Sequence, residues 1–111
     1  MTYYNLLNSV PAFQKLIHQD LPLRTAYRLS KMVRKVNEEL DFFRAKQEEI
    51  QAKHEYQIPQ SEFEALLAFE VEWEEPRIEI ALDDSIMLSV TDVDALTPFI
   101  DFKEVNNDAE N

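Results

Sequence analysis

The sequence predicts an α+β fold: a helical hairpin with one long helix, a small antiparallel two- or three-stranded sheet, and a short C-terminal helix. Three observations carry that expectation. Apolar residues recur at spacings of three and four through the first half of the chain, the rhythm of packed helix faces. In 69-FEVEW-73 they alternate with glutamates instead, the period of a strand with one buried face and one acidic face. Breaks between these regions fall at proline, asparagine and aspartate, and the chain contains no glycine. A length of 111 residues with 45% apolar composition suits one globular domain, taken as 1–105, followed by a polar tail at 106–111.

The first helix rests on Tyr3, Leu6, Val10, Phe13 and Ile17, which fall on one stripe. Pro11 lies too deep for a first-turn proline, so a kink or two short pieces are expected after an Asn8 or Ser9 cap. After a loop at 18–22 the second helix runs from Pro22 to about His54. Its seam, Leu29, Val33, Val36, Leu40, Phe43 and Ile50, is available for packing or self-association. At ~1.5 Å per residue it forms a rod of roughly 45–50 Å, outreaching the first helix. Ser61 and Glu64 suggest a capping box that opens a short helix through Phe63, Leu66 and Leu67.

Strands are expected at about 69–73 and 77–81, with Asp83-Asp84 as a turn and Ile86-Met87-Leu88 as a third short strand. Thr91 then caps the last helix, Asp92 and Asp94 suit its positive end, and Pro98 ends it. The expected core is Leu6, Val10, Phe13, Ile17, Leu29, Val33, Val36, Leu40, Phe43, Leu66, Phe69, Val71, Trp73, Ile78, Ile80, Leu88, Leu96 and Phe99.

Several chemistries are poorly served. Without glycine there is no phosphate-cradling loop and no nucleophile elbow, and without cysteine no disulfide or thiolate zinc site. His18 and His54 lie far apart near helix ends and lack metal-ligand spacing. Asp83, Asp84, Asp92 and Asp94 do not follow a calcium-loop pattern, and turn and capping roles account for them. No enzyme activity, cofactor or metal is expected. No apolar run approaches the ~18–20 residues needed to cross a bilayer, so no membrane partner is expected.

Charge is divided unevenly. Residues 1–58 hold nine Lys/Arg against seven Asp/Glu, while 59–111 hold two against fifteen, and the whole chain carries −11. Glu70, Glu72, Glu74 and Glu79 form a candidate acidic docking face, though their simplest role is the wet side of a small sheet. Arg24, Arg28, Lys31 and Lys35 recur at four, three and four residues as a basic stripe, with Arg34 just off it. At 100° per residue that stripe is placed opposite the seam. Net charge argues against direct nucleic-acid binding.

Four stretches, 6-LLNSVPAFQKL-16, 21-LPLRTAYRLSKMVRKVNEELDFF-43, 63-FEALLAFEVEWE-74 and 86-IMLSVTDVDALTPFIDF-102, resemble in their order a family of small proteins of unknown function from tailed phages and prophages of Gram-positive bacteria. Between Lys53 and Pro59 the chain departs from that pattern, where relatives carry a longer, glycine-containing loop. The resemblance implies a phage origin and a helical hairpin with a small sheet; it implies no activity and transfers no functional residue.

The expected function is therefore a non-enzymatic interaction protein, an accessory or structural factor docking on virion or assembly proteins, with self-association as a second use of the seam. It would act in the host cytoplasm or be incorporated in the virion. The alternative is an acidic, nucleic-acid-mimicking inhibitor of a basic host enzyme.

Overall fold

Thr2 opens the first helix. Its hydroxyl accepts the Asn5 backbone N–H at 3.2 Å, and the Asn5 side chain accepts the Thr2 N–H at 3.0 Å, a reciprocal cap. From there α1 (Tyr3–Leu16) runs unbroken in the computed structural model, which describes residues 1–55, 57–82 and 85–104. The two pieces expected around Pro11 are thus one helix. The proline ring is exposed, and the loss is confined to the missing donor for the carbonyl one turn back.

The second helix, α2 (Leu23–Lys53), follows Pro22 and turns the chain back along α1. Leu29, Met32, Val36, Leu40 and Phe43 are buried, and Tyr3 meets Phe43 with ring centroids 5.1 Å apart at one end of the hairpin. Beyond that point α3 (Gln60–Leu67) returns alongside the arm: Phe63 lies 6.5 Å from Phe43, and Glu62 Oε2 lies 2.9 Å from His54 Nε2. Ser61 does not cap α3. The helix begins one residue earlier, after Pro59, whose carbonyl accepts the Glu62 and Phe63 N–H groups.

The sheet differs most from expectation. Its two strands, β1 (Ile78–Ala81) and β2 (Ile100–Lys103), are parallel, in the register Ile78 opposite Ile100 and Ile80 opposite Phe102. A parallel pair needs a crossover of about a dozen residues or more, and the link from Ala81 to Ile100 supplies it with α4 (Val90–Leu96). The 69–73 segment buries Val71 and half-buries Trp73 but leaves Phe69 exposed, and it pairs with the N-terminus: Thr2 bridges Glu70, and Val71 N–H donates to the Met1 carbonyl at 2.6 Å. Residues 86–88 form no strand. There the Gln19 side-chain amide both donates to and accepts from the Met87 backbone at 3.3 Å, filling the place of a neighbouring strand.

Ser89 rather than Thr91 caps α4, exchanging hydrogen bonds of 3.0 Å with Asp92. The Asp83-Asp84 turn and the 106–111 tail lie outside the described residues.

The core sits where α1, α2, β1, β2 and α4 meet. Phe99 is fully buried there, edge-on to Phe13 at 5.2 Å and to Trp73 at 5.5 Å. Of the expected core, Val10, Val33, Leu66, Trp73 and Leu88 are half-buried at its rim. Ile17 and Phe69 are 48% and 57% exposed, because each lies just past the end of its helix. Tyr3, Leu16, Met32, Ala95 and Ile100 are buried although absent from the expected set. Among the described residues, no helix is long and apolar enough to cross a membrane.

Candidate interaction surface

Every residue of the basic stripe is exposed. Arg24, Arg28, Lys31, Arg34 and Lys35 lie in the first half of α2, and none makes an ion pair among the described residues. Lys31 Nζ sits 5.5 Å from the Tyr27 ring centroid, and Tyr27 and Leu23 are themselves solvent-facing. The stripe lies on the flank of the helix, not opposite the seam. Arg28 and Lys31 share a groove of about 480 Å³ with buried Met32 on one wall and with Glu75, Pro76, Arg77 and Ile78 on the other. Arg77 is already engaged, donating to the Ile100 carbonyl at 3.2 Å.

The acidic residues divide into two groups. Glu70 lies 3.5 Å from the N-terminal ammonium, whereas Glu72, Glu74 and Glu75 are exposed and make no ion pair among the described residues. Glu79 stands apart on the outward face of β1. Its charge reaches Lys103, whose ammonium is held above the ordinary lysine range mainly by Asp101 at 3.0 Å and to a smaller extent by Glu79. The four glutamates therefore do not make one wall: Glu70, Glu72 and Glu74 are exposed on one irregular run with Glu75, and Glu79 lies on β1.

The seam has little surface left to offer. Leu29, Val36, Leu40 and Phe43 are buried in the fold, and Val33 and Ile50 are half-buried. Val10, Phe13, Ile17, Val33 and Val36 line a shallow apolar hollow of about 210 Å³ between α1 and α2.

Among the described residues, the histidines and aspartates singled out from the sequence are not brought together. His18 and His54 lie at the ends of different helices, and His54 contacts Glu62 on the surface. Among the described residues no group of three or more His, Asp or Glu side chains converges as a metal cage. Asp92 is the most perturbed carboxylate among the described residues, held down to about 2 first by Lys15 and then by the Ser89 cap, and both are structural contacts.

One signal bearing on this surface was open to sequence reading. Residues 21–37 contain five Lys/Arg and no Asp or Glu, a cationic block within a chain of −11. The pairing of Lys15 with Asp92 and the meeting of the stripe with Glu75 depend on contacts between distant segments and leave no mark in local spacing. No family model, curated protein or solved structure matches this chain.

Proposed function

We propose that this chain is a non-enzymatic interaction protein, and that it serves phage assembly as an accessory or structural factor docking on other proteins. The observation that carries the interaction reading is the charge left unused by the fold. Five cations of α2 and the carboxylates of Glu72, Glu74 and Glu75 face solvent and make no ion pair among the described residues. Fields of this kind steer encounter and select partners more than they add affinity. The phage assignment rests on the likeness of the four stretches quoted above. A nucleic-acid mimic gains nothing from an exposed cationic stripe, so the inhibitor reading ranks second.

The test is affinity capture from prophage-induced cells at low and moderate salt, using wild type and the triple variant Glu70→Lys/Glu72→Lys/Glu74→Lys. Virion or assembly proteins held by wild type and lost by the variant would support the proposal. A single basic host enzyme released as salt rises would favour the inhibitor instead. Identical captures by both proteins would remove the acidic face from the mechanism.

A further inference from the structure

Charge changes sign along one side of this molecule. Phe69 stacks on Tyr3 at 6.0 Å and Tyr3 packs on Phe43 at 5.1 Å, which sets the start of the acidic run at the level of Phe43, in the C-terminal half of α2. By Glu75 the chain has reached the groove it shares with Arg28 and Lys31. The 70–75 run thus travels back along α2 toward its N-terminal half, and the acidic run meets the basic stripe at that groove.

We infer that this surface is self-complementary: a second copy of the chain docks on it about a two-fold axis at the groove, the Arg24–Lys35 stripe of each copy lying on the Glu70–Glu75 run of the other. Three features fit that occupant. A two-fold axis at a point of sign reversal lays positive on negative twice, as an isologous contact requires. The lengths agree as well. Arg24 to Lys35 covers roughly 16 Å of helix, and Glu70 to Glu75 roughly 16 Å of extended chain. Both halves also carry exposed apolar side chains that such a contact would bury: Leu23 and Tyr27 beside the stripe, and Phe69 beside the acidic run. Duplex nucleic acid fits less well, because phosphates laid along the stripe would lie next to Glu75.

The inference shares its surface with the interaction reading but is tested on the purified chain alone. Its failure would leave docking on other proteins to be decided by the capture experiment. Sedimentation velocity over a concentration series, at about 25 mM and about 300 mM salt, is the measurement. The expected result is a dimer at low salt that dissociates at high salt. Arg28→Glu/Lys31→Glu and Glu72→Lys/Glu74→Lys should each weaken it by about tenfold or more, with circular dichroism unchanged because all four side chains are exposed. An equimolar mixture of the two variants should dimerise again, since the reversed stripe of one then faces the reversed run of the other while the second contact keeps its native charges. A monomer at every concentration in low salt overturns the inference, and so does a dimer indifferent to both reversals or a mixture that stays monomeric.

Discussion

Lys15 Nζ lies 2.9 Å from Asp92 Oδ2 and ties the first helix of the hairpin to the helix that crosses between the two strands. Asp92 is nearly buried and also accepts the Ser89 backbone N–H, so its charge is held from both sides. Its carboxyl is lowered to about 2 from an ordinary 3.8. Because the folded value is the lower one, the contact stabilises the protein fully above the ordinary value and ceases to do so as pH falls through about 2. Melting temperatures measured from neutral pH down to about pH 2 should therefore fall in wild type across that window. Asp92→Asn should melt lower at neutral pH and show a shallower acid slope, the two proteins converging at the acid end. Parallel slopes would dismiss the ion pair as a source of acid sensitivity.

The aromatic cluster behind that clamp should dominate core stability. Phe99 is fully buried between Phe13 and Trp73, so Phe99→Ala removes both edge contacts and leaves a cavity. A loss of about 3–5 kcal/mol in denaturant unfolding is expected. Phe42, on the exposed side of α2, is the control: Phe42→Ala should stay within about 0.5 kcal/mol of wild type. Similar losses for the two variants would mean that the core lies elsewhere.

The parts of this fold legible in the sequence are those in which one face of one element meets one neighbour. The seam of α2 is such a face, and its helix runs from Leu23 to Lys53 close to the expected bounds. Helix α1 packs on three helices, α2, α4 and, more lightly, α3. Its apolar stripe reports the first contact. Three residues are buried off that stripe, Ser9, Ala12 and Leu16; the first two are small and leave little hydrophobic signal. The strands failed for a different reason. Alternation in 69–73 reports one buried face but not which backbone pairs with it, and closeness in sequence to 77–81 made a hairpin the natural reading. The actual partner of β1 is IDFK at 100–103, a run that follows a proline-terminated helix and is too short to show its own period. For the candidate surface, both charged runs could be read from sequence, but their meeting at one groove could not. That meeting depends on how the 69–78 segment lies along α2.

Pro11 offers a direct check on whether α1 is strained. It occupies the third turn, where its ring excludes a backbone hydrogen bond, and it is exposed, so its removal forfeits little packing. Pro11→Ala should restore the bond and improve helix propensity, partly offset by a freer unfolded chain. A net stabilisation of about 1–2 kcal/mol is expected in urea unfolding. A destabilised variant would show instead that the proline shapes the helix to its neighbours.

Arg24 sets stability against association. It stands in the first turn of α2, which has no acidic residue and no side-chain cap, so a cation there opposes the positive end of the helix dipole. Arg24→Glu should raise unfolding stability by about 0.3–1 kcal/mol. The same change should weaken the low-salt dimer, since it places a carboxylate opposite the partner's glutamates. The two readouts must move in opposite directions if the stripe is kept for contact at some cost to the helix. A variant that melts below wild type would make Arg24 a structural residue. One that melts higher but dimerises as before would place the contact further along the stripe, toward Arg28 and Lys31.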